Sequence, residues 1–327
     1  MKAGHIGAVI TLSLAILTTA APAPGQAVRV DPAIPEYQAT RGVSGNIKSV
    51  GSDTMNNEMA LWAEGFRRLY PSVNIEIEGK GSSTAPPALT EGTSHLGPMS
   101  RAMKAEEIDL FEKKHGYKPT EVRTSIDMLA VYVHKDNPIA CLSLTQVDAI
   151  FSRGRRGGNR EDITTWGQLG MTGEWAARPI SLYGRNSASG TYGFFKEHAL
   201  FKGDFKDSVK EQPGSSSVVQ AVATDRNGIG YSGIGYKTAD VRTVPISQRT
   251  GGECVATTPE MAYSGEYPLA RFLYLYVNRK PGEGLDPLRR EFVRYVMSRE
   301  GQEAVVKDGY LPLPATIIEE ERVKLGL

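Results

Sequence analysis

Residues 183–195 read YGRNSASGTYGFF. A short apolar run, Ile180 to Tyr183, predicts a strand. Gly184 to Gly190 is then a loop of Arg, Asn, Ser and Ala, and Thr191 to Ala199 predicts a helix. The loop therefore delivers Ser189, Gly190 and Thr191 to a helix start, with Arg185 four residues before Ser189. Helix N-termini present unpaired N–H groups and a partial positive charge. Hydroxyls add donors, glycine lets an anion approach the backbone, and Arg185 supplies a permanent, fork-shaped cation. These parts suit a small tetrahedral oxyanion.

Two more loops have the same composition and place. Gly51-Ser52-Asp53-Thr54 follows a strand candidate, Ile47 to Val50, and opens a helix. In that helix Met55, Met59, Trp62, Phe66 and Leu69 recur at helical spacing, and Pro71 stops it. Val73, Ile75 and Ile77 alternate as in a strand; Gly81-Ser82-Ser83-Thr84 follows, and Ala85 to Leu89 starts another helix, with Pro86 and Pro87 tolerated in its first turn. Any one such loop is accounted for by helix capping. Three of them, one holding an arginine, point to a shared anion site.

The same rhythm continues along the chain. Strands are predicted over Met128–Val133, Ile229–Ser232 and Phe272–Val277, and helices over Thr145–Phe151, Val218–Ala223, Leu288–Met297 and Gln302–Lys307. Strand, small polar loop and helix in alternation is α/β architecture. The 327 residues suggest two domains, and hydrophobic residues at 40% with charged residues at 23% are the proportions of a globular protein. Lys+Arg is 38 against Asp+Glu 37, which argues against a nucleic-acid partner.

Lys2, the apolar stretch Ile6–Leu17 and the small residues that follow read as a secretory signal over residues 1–27. Residues 28–45, rich in Pro, Gly and Ala, read as a flexible leader. Export makes a disulfide between Cys141 and Cys254 chemically possible, given proximity. The histidines show no metal-ligand spacing, so neither a metal nor a cofactor is expected.

Several motifs are weighed and set aside. Gly228-Ile229-Gly230-Tyr231-Ser232-Gly233 matches G-x-G-x-x-G but lacks the preceding strand and following helix of a dinucleotide site. Gly79-Lys80-Gly81-Ser82 lacks Walker spacing, and no G-x-S-x-G elbow occurs. Asp127, ahead of an apolar strand, reads as structural, and the Arg153–Arg160 loop as a solvated surface.

Eight segments carry a family resemblance: SVGSDTM (49–55), IEGKGSSTA (77–85), GPMSRAM (97–103), NPIACLSLTQVDAIFS (137–152), YGRNSASGTYGFF (183–195), GIGYSGIGY (228–236), YPLARFLYLYVN (267–278) and GQEAVVKDGYLPL (301–313). Over about 46–318 the chain resembles the phosphate-binding proteins of bacterial ABC importers, a branch of the periplasmic binding protein superfamily. The resemblance implies two α/β lobes, each a mixed sheet flanked by helices, with a hinge and a ligand cleft. Lobe one would comprise 46–134 plus 246–327, and lobe two 135–245. It implies binding by Thr54, the Met55 backbone, Ser82 and Ser83 on one side, and by Arg185, Ser189, Gly190 and Thr191 on the other; Ser52 and Asp53, in the same loop as Thr54, join them as candidates. The fourth loop contributes Ser100 and Arg101, where members with a phosphate-proton acceptor carry Asp after Ser.

With Arg101 in that place, Asp53 becomes the candidate acceptor, held ionised by Arg101 nearby; its other reading is an N-cap on the helix that begins at Met55. Ser187 stands where an acidic residue is frequent. Cys141 and Cys254 both follow the hinge crossings, which lie side by side in this fold, so their pairing is expected. The implied partners are inorganic phosphate and an inner-membrane ABC permease, for a periplasmic, monomeric, non-enzymatic protein. Other readings are a carrier of sulfate, molybdate or arsenate, a phosphate sensor, and a hydrolase using Ser82 or Ser189.

Overall fold

The computed structural model describes residues 28–327; the segment read as a secretory signal lies outside the described residues. In chain order the elements of the first part are β1 (Gly45–Val50), α1 (Asn56–Leu69), β2 (Val73–Glu78), α2 (Ala85–Thr90), β3 (Leu96–Met99), α3 (Ala105–His115) and the long β4 (Thr120–His134). Next come β5 (Leu142–Ser143), α4 (Leu144–Phe151), β6 (Ser181–Arg185), α5 (Gly190–His198), β7 (Lys210–Gln212), α6 (Ser215–Thr224), β8 (Gly228–Gly233) and β9 (Val241–Thr243). The chain ends with β10 (Ile246–Ser247), α7 (Pro259–Tyr263), β11 (Ala270–Val277), α8 (Pro287–Val296), α9 (Arg299–Asp308) and α10 (Ala315–Leu325).

One sheet path runs β2-β1-β3-β11-β4-β8-β6-β7, with β9 also on β4. β4 serves both ends of it. Residues Thr120–Met128 pair antiparallel with β11, and Leu129–Val133 pair antiparallel with β8. On one side, β1 runs parallel to β2 and β3; on the other, β6 runs parallel to β7 and β8. This is a mixed α/β architecture in two lobes. The G-x-G-x-x-G match lies within β8, a fully buried strand, and leads into a short 3-10 turn, not a helix.

Each lobe packs helices on its sheet through aromatic clusters. Met55, Met59, Trp62 and Phe66 of the helical stripe are buried, and Phe66 meets Phe292 of α8 edge-on at 5.3 Å. Leu69, the last residue of that stripe and of α1, is 43% exposed. Across the molecule Phe195 of α5 stacks on Tyr231 of β8 at 3.9 Å. This stack fixes α5 against the sheet that carries Arg185.

The flexible leader expected over 28–45 is corrected. Ile34 is buried, the Tyr37 hydroxyl donates to Glu291 at 2.7 Å, and the Tyr37 N–H donates to Glu300 at 2.8 Å. Its low periodicity reflects the lack of secondary structure, while side-chain docking holds it on α8 and α9. Cys141 and Cys254 are joined by a disulfide, Cα–Cα 6.1 Å. It flanks the small parallel pair β5–β10, where Val255 also bridges to Ile246. The Arg153–Arg160 loop is laced by surface contacts, Arg153 to Asp207 and Arg155 to Asp162.

Candidate functional site

Four loops converge between the lobes. The turn after β1 brings Ser52, Asp53, Thr54 and Met55. A 3-10 turn after β2 brings Ser82 and Ser83, and the segment after β3 brings Ser100 and Arg101. From the other lobe, β6 ends on Arg185 and its loop runs into α5 with Ser189, Gly190 and Thr191. Ser52, Thr54, Ser82, Ser100, Arg185, Ser189 and Thr191 are all buried. So many buried hydroxyls are costly unless each is hydrogen-bonded or serves a ligand.

Direct contacts join the two sides. Thr54 Oγ1 and Thr191 Oγ1 lie 2.8 Å apart, and the Ser83 N–H donates to the Ala188 carbonyl at 3.0 Å. Gly190 is packed so closely that a Cβ there would sit 2.2 Å from Ser82 Oγ and 2.6 Å from Ser100 Oγ. Gly81 has φ +117°, a backbone region that favours glycine, and faces Ala188 across the same seam.

The charged centre is a relay. Arg185 Nη1 donates to Ser215 Oγ at 2.7 Å, and that hydroxyl donates to Asp53 Oδ2 at 2.9 Å. The Ser215 N–H, at the start of α6, donates to the same oxygen at 2.8 Å, and Arg185 Nη1 reaches it directly at 3.1 Å. The Arg185 backbone N–H is tied to the Tyr231 hydroxyl at 3.2 Å. Burial pushes the Arg185 guanidinium below its ordinary pKa, opposed by the Asp53 carboxylate. Arg185 Nε and Ser52 Oγ are buried without a hydrogen-bond partner, so donor capacity remains at this centre.

Two sequence expectations about Asp53 are corrected. Its carboxylate does not cap α1, whose N-cap is Met55 with no side-chain bond; it caps α6 across the lobe seam. Arg101 is not its partner. Glu107, in the first turn of α3, holds Arg101 in a bidentate pair at 2.7 and 2.6 Å. A partner six residues away outcompetes one in another loop. Arg101 reaches the site through Ser83 Oγ, at 3.3 Å. Ser187 is exposed and takes no part in the relay.

The remaining hydroxyls have defined roles. Ser189 Oγ accepts from the Tyr192 N–H as N-cap of α5. Ser82 Oγ accepts from the Ser100 N–H at 3.0 Å and lies 3.2 Å from Ser100 Oγ. Among the described residues the recorded side-chain partners of Ser82 and Ser189 are Ser100 and the Tyr192 N–H. Sequence reasoning missed Ser215, Tyr236 and Arg271. Tyr236 donates to the Asp53 carbonyl at 3.0 Å, and Arg271 donates to Thr191 Oγ1 at 2.9 Å. An arginine inside the apolar run ARFLYLYV, and three serines opening a helix, were the available signals.

Comparison with known proteins places this geometry. Residues 37–300 match the PBP superfamily domain. The phosphate-binding protein PstS of Pseudomonas aeruginosa is 59% identical over 298 residues, 91% of this chain and 92% of that one. Protein SphX of Synechococcus elongatus is 26% identical over 86% of this chain and 81% of its own. Among solved structures, a putative phosphate ABC transporter substrate-binding protein of Clostridium perfringens with bound phosphate superposes with TM-score 0.70 at 29% identity, covering 83% of this chain and all of that one. A buried arginine relay between two lobes and 59% identity along almost the whole chain lead to one assignment: this protein belongs to the PBP superfamily and, within it, to the PstS family of phosphate-binding proteins.

Proposed function

We propose that the chain captures inorganic phosphate in the seam between its lobes and delivers it to an ABC permease. The lobes comprise about 46–134 plus 246–327, and 135–245, with β4 common to both. The observation that carries this reading is the Arg185–Ser215–Asp53 relay, a buried cation joined to the loop that holds Thr54. Arg185 supplies the charge that offsets desolvation of the anion. Ser52, Thr54, the Met55 backbone, Ser82, Ser83, Ser100, Ser189, Gly190 and Thr191 supply donors and close approach, with Arg101 bracing Ser83. Asp53 accepts the proton that hydrogen phosphate carries and sulfate lacks. Its Oδ2 is taken by Arg185 and Ser215, and Oδ1 remains for that bond.

No covalent chemistry is involved, and the ligand leaves as it arrived. Residues 1–27 direct the chain to the periplasm, where it works as a monomer. Among the described residues no helix is long and apolar enough to cross a membrane. The test is calorimetric titration of residues 28–327, freed of phosphate, with phosphate, arsenate and sulfate. Saturable one-to-one binding of phosphate with sulfate silent is the expected result. Sulfate binding as tight as phosphate, or no phosphate binding at all, overturns it.

A further inference from the structure

Arg271 lies on β11, outside all four loops, yet its guanidinium is bonded to two of them. Nε and Nη2 grip Asp127 Oδ2 at 3.0 and 2.7 Å, and both side chains are buried. Asp127 Oδ1 in turn accepts from the Ile234 N–H at 2.9 Å. The pair is therefore neutral and anchored where β4 passes from β11 to β8. From this anchor Nη1 donates to the Ser100 carbonyl at 2.7 Å, and Nη2 donates to Thr191 Oγ1 at 2.9 Å.

The direction of these bonds matters. A guanidinium can only donate, so Thr191 Oγ1 is an acceptor towards Arg271. The single Thr191 hydroxyl hydrogen is then free for Thr54 Oγ1, 2.8 Å away, or for an anion. A threonine hydroxyl without such a neighbour rotates, and can turn a lone pair on an anion. Ser100 and Arg271 belong to one lobe and Thr191 to the other, so the bond to Thr191 exists only when the lobes meet.

We propose that Arg271 is a positioning residue for anion binding: it commits the Thr191 hydroxyl to donating into the seam and latches α5 onto the Ser100 loop, without touching the anion itself. This rests on the phosphate-binding reading given above. Asp127 holds the latch in place and cancels its charge, so Arg271 contributes direction and closure where Arg185 contributes charge.

The test is a double-mutant cycle between Arg271→Lys and Thr191→Val, read by phosphate titration and by the rate of phosphate release. Lysine keeps the charge opposite Asp127 but has no planar fork to hold Asp127, Ser100 and Thr191 together. Arg271→Lys should raise the Kd for phosphate by about tenfold or more, most of it as faster release. Because both changes act on one hydroxyl, the double variant should bind within about twofold of the weaker single variant. Losses that multiply, or an unchanged release rate in Arg271→Lys, overturn the proposal. If Arg271→Lys does not fold, the paired change Arg271→Gln with Asp127→Asn removes both buried charges together and enters the same cycle with the same criteria. The wild-type titration separates the two levels of inference. Phosphate binding with an additive cycle sinks the latch alone, whereas a wild type that binds no phosphate sinks both.

Discussion

Arg185 and Asp53 meet at 3.1 Å across the lobe seam, and the Ser215 hydroxyl spans them, accepting from one and donating to the other. The ion pair is also a helix cap, since Asp53 holds the first N–H of α6. Opposite charges, a hydroxyl and a helix N-terminus thus reinforce one geometry.

Two substitutions test the two ends of that relay. Arg185→Ala should weaken phosphate binding by about 2–5 kcal/mol, as expected when one partner of a buried charge pair is truncated. Asp53→Asn keeps an acceptor for Ser215 but can also donate to a bare sulfate oxygen. The ratio of the sulfate to the phosphate Kd should fall by about tenfold or more. Titration of both anions against both variants checks this; a ratio unchanged in Asp53→Asn removes Asp53 from selectivity.

Gly190→Ala tests closure without touching charge. The three atoms nearest the added methyl all lie across the seam, led by Ser82 Oγ at 2.2 Å and Ser100 Oγ at 2.6 Å. Overpacking of about 1–3 kcal/mol should appear as a roughly tenfold to hundredfold loss of affinity, with the melting temperature of the phosphate-free protein little changed. Small-angle scattering should show the variant still open at phosphate concentrations that close the wild type. A wild-type Kd would mean that the seam gives way freely.

Much of this was legible in the sequence, and the limits have physical causes. The stripe from Met55 to Phe66 announced α1, and the Arg185 to Thr191 spacing announced a helix start facing an anion, because both are local patterns. Arg271 and Asp127 are 144 residues apart in the chain and meet only through the β4–β11 register. No local pattern encodes that register. Asp53 illustrates the same limit at close range. Its neighbourhood suggested Arg101, but Glu107 lay closer to Arg101 along the chain and took it.

The Cys141–Cys254 disulfide should matter for stability and leave affinity intact, since it clasps β5 and β10 away from the relay. Replacing both cysteines by alanine should cost about 2–4 kcal/mol in chemical denaturation, the usual range for a link closing a long loop. Phosphate affinity should stay within about twofold, near the reach of experimental error. Loss of binding in the oxidised-null double variant would show that the clasp also sets the lobe orientation.

A pH dependence follows from Asp308, at the end of α9. Burial, with the Asp127 carboxylate nearby, pushes its carboxyl up to about 7. Burial likewise raises Glu58, which is fully enclosed. A folded-state pKa above the unfolded value means the native state holds extra protons between about pH 4 and 7. The contribution of Asp308 is therefore fully present below the unfolded pKa and lost as pH rises towards 7. Denaturant titrations at pH 5, 6 and 7 should show stability rising in Asp308→Asn relative to wild type as pH increases. Parallel pH profiles for the two proteins would exclude this role.

The partner exchange within β4 also bears on how such a protein can be taken apart. Cutting between Met128 and Leu129 would leave β11 in one half of the chain and the stretch of β4 it pairs with in the other, so neither half could be transplanted as a finished module. A chimera that borrows the anion-facing loops of a relative must take them as short grafts on this strand, or bring the whole strand with both of its neighbours. New specificity in this scaffold is therefore better sought by editing loops in place than by exchanging lobes.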